Sequence, residues 1–144
     1  MTEISTSKSF KLEIVTPFEL VFSGMVNYVR APGELGSFGV MDRHTPFIAA
    51  LSIGEIKVQI GKQVQYYATS GGFVEVLPDS VTILAETADE AQKIDSARAK
   101  NAMTRAKERL VKYNPDIDTD RAQLSLQRAA NRLRIIEKAK SKKE

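Results

Sequence analysis

Over the first 87 residues apolar and polar side chains alternate in short runs, the two-residue period of a strand with one buried face. Phe10-Lys11-Leu12-Glu13-Ile14-Val15 stops at Thr16-Pro17, Phe18-Glu19-Leu20-Val21-Phe22 at Ser23-Gly24, and Val26-Asn27-Tyr28-Val29-Arg30 at Pro32-Gly33. Further on, Glu55–Ile60 and Val64–Ala68 flank Gly61-Lys62-Gln63, which predicts a hairpin with a short glycine-containing loop. Phe73–Val76 and Val81–Leu84 flank Leu77-Pro78-Asp79-Ser80 in the same way. About eight or more short strands at close spacing predict an all-β sandwich or barrel.

The period then changes to that of helices. One is predicted from Ala88 to about Lys112 and a second from about Asp118 to Lys140, broken at Tyr113-Asn114-Pro115 because proline cannot continue a helix. Thr87 and Asp118 to Asp120 stand at the N-cap positions. On the second helix Ala122, Leu126, Ala129, Leu133 and Ile136 recur at coiled-coil spacing, and on the first Ala91, Ile94, Ala99, Ala102, Ala106 and Leu110 form a looser stripe. The short connection predicts antiparallel neighbours. The expected organisation is therefore a strand domain over residues 1–87 and an α-helical hairpin over 88–144. Alanine buries little apolar area, so the hairpin is expected to close weakly. Opened end to end, two helices of roughly 35 Å would reach on the order of 70 Å, the proportions of a switch.

Composition separates the same two regions. Residues 1–88 carry 6 Lys and Arg against 9 Asp and Glu, whereas residues 89–144 carry 15 against 9; net charges of −3 and +6 result. All eight glycines fall at or before Gly72. A chain of 144 residues has room for one domain, or one with an appendage. It contains no cysteine, which excludes disulfides, thiol nucleophiles and cysteine zinc sites. His44 is its only histidine and has no nucleophile elbow beside it, so catalysis and a metal centre are not expected. No run approaches the roughly 18 apolar residues of a spanning helix, and the N-terminal MTEISTSKSF lacks the apolar core of a signal peptide.

Leu12-Glu13-Ile14-Val15-Thr16-Pro17, Gly36-Ser37-Phe38-Gly39-Val40, His44-Thr45-Pro46, Ser70-Gly71-Gly72-Phe73-Val74-Glu75-Val76 and Ile94-Asp95-Ser96-Ala97-Arg98-Ala99 follow one another in an order and spacing that, joined to a basic helical hairpin, resemble the epsilon subunits of bacterial F-type ATP synthases. The resemblance runs from about Phe10 to Glu137. It implies a sandwich of about ten strands followed by two helices. It also implies a non-catalytic rotor subunit of the central stalk in a proton-translocating complex, with the gamma subunit and the c-ring as partners of the sandwich. In this family the hairpin either folds on the sandwich or extends to the catalytic and non-catalytic head subunits and inhibits ATP hydrolysis. The implied location is peripheral, on the cytoplasmic face of the bacterial cell membrane, with the plastid thylakoid as the alternative. The family pattern usually places Pro-Gly before the histidine, where this chain has Asp42-Arg43.

Some members bind ATP as a regulatory ligand, and the resemblance carries that site onto Asp89, Ile94, Asp95, Arg98, Ala99, Arg105, Arg128 and Arg132. The residue types suit a nucleotide, since carboxylates accept from an adenine amino group and guanidinium forks bind phosphate oxygens in pairs. A solvated helix face is the alternative reading of the same arginines. For His44 the alternatives are loop packing and contact with the c-ring; for Gly71-Gly72 they are a turn and close approach of gamma. Two readings outside the family also stand. A basic hairpin binding nucleic acid is disfavoured by the acidic strand domain and the lack of aromatics among the basic residues. A free-standing small-molecule-binding β-sandwich with a helical interaction hairpin is the other.

Overall fold

The computed structural model describes residues 8–111 and 119–142. The chain divides into two compact units, with the boundary between Glu90 and Ala91.

The first unit is built from ten strands: β1 (Phe10–Val15), β2 (Leu20–Val26), β3 (Tyr28–Gly33), β4 (Gly36–Val40), β5 (Phe47–Leu51), β6 (Gly54–Ile60), β7 (Gln63–Thr69), β8 (Gly72–Val76), β9 (Ser80–Ala85) and β10 (Ala88–Glu90). They hydrogen-bond in the order β10-β7-β6-β3-β5-β8-β9-β1-β2, with β4 paired to β3 off this path. All neighbours are antiparallel except β1 and β9, which run parallel with Leu12 opposite Val81 and Ile14 opposite Ile83. Strand β3 is the fold line: Tyr28–Arg30 pair with β6, while Gly33 pairs with Leu51 of β5. The two ends of the ladder meet across the core, where the Phe22 ring on β2 stands edge-on to Tyr67 on β7, centroids 6.5 Å apart. This makes a β-sandwich.

Alternation decides what fills it. Phe10, Leu12 and Ile14 of β1 point inward with Val74 and Val76 of β8, Val81 and Ile83 of β9, and Ile56 and Val58 of β6, all fully buried or nearly so. Each such side chain contributes about 1.5–3 kcal/mol when removed from water. Gly61 and Lys62 connect β6 to β7, with Ile60 opposite Gln63, and Gly61 takes φ 60° as a tight hairpin demands. Gly72 opens β8 at φ 140°, where a Cβ would run into the Leu84 carbonyl of the neighbouring strand.

Several expectations need correction. Strands β4, β5 and β10 are not read as strands from the sequence. Phe18 lies outside β2, in a turn held by the Thr16 hydroxyl, which accepts from the backbone N–H of Phe18 and of Glu19 at 3.3 and 3.2 Å. Asn27 interrupts the expected Val26–Arg30 strand, and its Oδ1 accepts from the Gly61 N–H at 2.7 Å. The largest difference is at the first helix, expected from Ala88 with Thr87 as its cap. Ala88, Asp89 and Glu90 instead pair with Thr69, Ala68 and Tyr67 of β7, because that strand would otherwise present unpaired backbone groups at the sheet edge. Thr87 donates its hydroxyl to Ser70 Oγ at 2.7 Å instead of capping a helix.

The second unit opens with a 3₁₀ turn (Ala91–Lys93), followed by α1 (Ser96–Val111) and α2 (Thr119–Lys142). Asp95 is the cap of α1: its Oδ1 accepts from the Arg98 N–H at 3.1 Å and its carbonyl from Ala99 N–H at 3.0 Å. The break at Tyr113–Pro115 and the cap at Asp118 lie outside the described residues. Helix α2 packs along α1 and reaches back to the 3₁₀ turn, so the two form a hairpin. Ala99, Ala106, Ala122, Ala129 and Ile136 are buried at the expected spacing, with Leu110, Leu126 and Leu133 half-buried. The Lys-rich end stays helical as far as Lys142.

Candidate functional site

Two surfaces carry residues that neither core explains. The first is on the strand unit. Ala50 on β5 lies opposite Phe73 on β8, Phe73 opposite Leu84 on β9, Leu84 beside Val15 on β1, and Val15 opposite Leu20 on β2. These five side chains form one unbroken apolar row across five strands, about 19 Å long at ~4.8 Å per strand. Phe73, Leu84 and Leu20 are each more than half exposed, at 58%, 55% and 55%. A row of this kind on an outer face has the character of a docking surface. Two residues along β5, β8, β9 and β1, and three along β2 where the register shifts between Ile14 and Val15, the row reads Ile48, Glu75, Thr82, Glu13 and Ser23, which is mostly polar. Glu19 and Glu86 are exposed beyond the other end. Nothing in the sequence marks this row, because its members are scattered from Val15 to Leu84 and only strand register aligns them.

Near the opposite ends of β5 and β8, His44 packs edge-on against Phe47, ring centroids 5.4 Å apart, and Phe47 packs edge-on against Phe38 at 5.3 Å. Just before it, Arg43 occupies the left-handed region at φ 60°, and its N–H donates to the Pro78 carbonyl at 3.0 Å. The histidine thus makes a packing contact within the chain, at the end of β5.

The second surface is on the hairpin, and it holds most of the expected nucleotide residues. Asp89 is on β10 of the strand unit, opposite Ala68. The other seven belong to the helical unit. Ile94 is half-buried before α1, Asp95 caps that helix, and Ala99 is buried in the seam. Arg98 and Arg105 are exposed on α1; Arg128 and Arg132 are half-buried on α2. The Nε of Arg128 is buried and donates to no acceptor among the described residues.

A simple regularity relates these arginines. Arg98, Arg105 and Arg128 each immediately precede a seam alanine, Ala99, Ala106 and Ala129, so each is rotated by about 100° in the same sense about its own helix. Equal rotation about oppositely directed axes puts all three on the same side of an antiparallel pair. Arg132, four residues after Arg128, shares that side. Arg121-Ala122 repeats the pattern and was missed; the heptad interval from Ala122 to Ala129 is the signal that finds it. Also missed was a second buried strip on α2, Asn131 and Ile135, which lies opposite the alanine seam. Asn131 Oδ1 accepts from an Arg134 guanidinium N–H at 2.8 Å. Among the described residues no three His, Asp or Glu side chains gather in the manner of metal ligands.

Residues 9–91 match the family described as the ATP synthase delta/epsilon chain beta-sandwich domain, and residues 92–137 match its long alpha-helix domain. The chain is 48% identical over 132 residues to the ATP synthase epsilon chain of Syntrophobacter fumaroxidans, covering 92% of this chain and 98% of that one. The chain belongs to the ATP synthase epsilon chain family. The epsilon chain of Bacillus licheniformis is 44% identical over 128 residues, or 89% of this chain and 98% of the relative. In fold, this epsilon-family chain resembles a chain of the Euglena gracilis mitochondrial ATP synthase OSCP/F1/c-ring assembly with a TM-score of 0.76 at 20% identity, covering 91% of this chain and 81% of that one. The family boundary at residues 91 and 92 agrees with a strand domain that retains β10. No described helix of this family member is long and apolar enough to cross a membrane.

Proposed function

We propose that this chain is the epsilon subunit of the central stalk of a bacterial, proton-translocating ATP synthase, peripheral to the membrane on its cytoplasmic face. It transmits rotation and catalyses nothing itself. The observation that carries the reading is 48% identity along almost the full length of a bacterial ATP synthase epsilon chain. The sandwich docks gamma and the c-ring, and the apolar row Ala50-Phe73-Leu84-Val15-Leu20 supplies an adhesive face for gamma. Phe73→Asp combined with Leu84→Asp is expected to release the folded chain from the detergent-solubilised complex; unchanged co-purification would remove this face from the proposal.

The hairpin is the regulatory part. When extended it meets the head subunits and impedes ATP hydrolysis; when folded it does not. Buried alanines hold the seam, each contributing on the order of 1 kcal/mol, so small free energies move the equilibrium. ATP at 100 times its dissociation constant contributes about 2.7 kcal/mol to whichever form binds it, enough to compete with such a seam. The arginines on one side of the closed hairpin, together with the unpaired Nε of Arg128, support phosphate binding by that form. Two experiments test this reading. Truncation after Glu90 is expected to preserve assembly and raise ATP hydrolysis several-fold; equal hydrolysis would end the regulatory claim. Titration calorimetry of the isolated chain should detect ATP, with at least tenfold weaker binding in Arg98→Ala and Arg128→Ala, and no heat at millimolar ATP would end the nucleotide claim.

A further inference from the structure

The apolar row across β5, β8, β9, β1 and β2 is bordered by carboxylates on both sides. Glu75 and Glu13 stand two residues along their strands from Phe73 and Val15, about 7 Å at ~3.3 Å per residue, and share the outer face with them. At the other border Glu86 follows β9 and Glu19 precedes β2, and both are exposed. Among the described residues none of these four carboxylates has an ion pair. The five strands contain one basic residue, Lys11, four positions before Val15 and so about 13 Å from the row. The other cations of the strand unit lie elsewhere. Arg30 and Lys57 are neighbours across β3 and β6, with Arg30 bound to Glu55 at 3.1 Å; Arg43 and Lys62 are exposed in turns, and Lys8 precedes β1.

Glu75 and Glu13 are two strands apart, about 10 Å, close to the Debye length of a physiological solution, so they repel one another and jointly attract a cation brought between them. A second copy of the chain laid on the row would set acidic border against acidic border in either orientation. Resting on the docking reading above, we propose that the row and its four carboxylates form a charge-selective dock: the face it accepts is an apolar ridge with lysine or arginine on both flanks, and the rim governs approach and register. Charged rims around an apolar centre act on association rate and on rejection of wrong partners more than on raw affinity.

Glu75→Lys combined with Glu86→Lys reverses one charge on each border and leaves the row intact. Binding of the purified chain to detergent-solubilised ATP synthase stripped of it is expected to slow at least tenfold at about 0.02 M salt. The rate should return to within twofold of the unaltered chain at about 1 M salt, where the Debye length is about 3 Å. Glu34→Lys with Asp79→Lys, exposed turn residues away from the row, makes the same change in net charge and is expected to bind within twofold of the unaltered chain at both salt concentrations. Equal slowing by the two pairs would assign the effect to net charge and overturn the proposal, as would a rim variant that binds at the normal rate in low salt. Phe73→Asp with Leu84→Asp separates the two claims. If it abolishes binding while the rim variant binds normally, docking stands without charge selectivity; if it binds normally, docking at this face fails and the rim with it. Self-association of the unaltered chain that Leu84→Asp removes would make the occupant a second copy and also overturn the proposal.

Discussion

The strand unit and the helical unit are stabilised by opposite means. In the sandwich, Leu12, Ile14, Ile56 and Ile83 are completely buried and are contributed by strands far apart in sequence. In the hairpin the seam is made largely of Ala99, Ala106, Ala122 and Ala129, and each helix satisfies its own backbone. Large side chains in a non-local ladder produce a body that opens cooperatively or not at all. Small side chains between two self-sufficient helices let the partners separate while each keeps its hydrogen bonds. One chain thus joins a densely packed sandwich to a helix pair with a small-residue seam, the combination on which the proposed regulatory role relies.

The contrast is open to direct measurement. Ile83→Ala removes a fully buried side chain shared by β8, β9 and β1, and is expected to destabilise the strand unit by about 2–5 kcal/mol. Denaturant unfolding followed through the strand signal would show it; a loss below 1 kcal/mol would mean the sandwich is as loosely held as the hairpin. Asp95→Ala removes the cap of α1 and should cost about 1 kcal/mol, felt only by the helical unit. Amide exchange should quicken in the first turn of α1 and stay unchanged in β1, β8 and β9. If the strands respond as well, the units are not independent.

Arg43→Gly relieves a left-handed conformation that costs a non-glycine residue about 1–2 kcal/mol, offset by the greater freedom of glycine in the unfolded chain. A net gain of about 0.5–1 kcal/mol in the strand unit is expected, and a melting temperature that falls would refute the account of this loop. The smallest effect, absent at neutral pH, concerns Tyr67. Burial, aided by the negative charge of Glu90, pushes its phenol up to about 12. The phenol is harder to ionise folded than unfolded, so its contribution is fully present below pH 10 and is lost as the pH rises from 10 toward 12. Tyr67→Phe should flatten the stability profile in that window alone, and an unchanged slope would show that the phenol ionises freely in the fold.

How far the sequence reaches depends on whether neighbours in space are neighbours in the chain. The hairpin at Gly61-Lys62 and the alanine seam are local patterns, and they read correctly because a turn or a helix converts sequence spacing into geometry. Strands β4 and β5 escaped because Gly36–Val40 is glycine-rich and Phe47–Leu51 is a continuous apolar run without clear alternation. The start of the first helix was misplaced for a different reason. Ala88-Asp89-Glu90 has acceptable helix propensity, yet the open edge of β7 offers a ladder that an isolated segment cannot foresee.

Fold class, the change from strands to helices and the charge asymmetry followed from residue type and short-range period, whereas the candidate arginines came from the resemblance to a family. The ten-strand order, the apolar row from Ala50 to Leu20, the capture of Ala88–Glu90 by β7 and the cap at Asp95 were settled only in three dimensions. Each of these depends on which strand lies beside which, and that choice minimises unpaired backbone and exposed apolar surface over the entire unit, a quantity no local window of sequence contains.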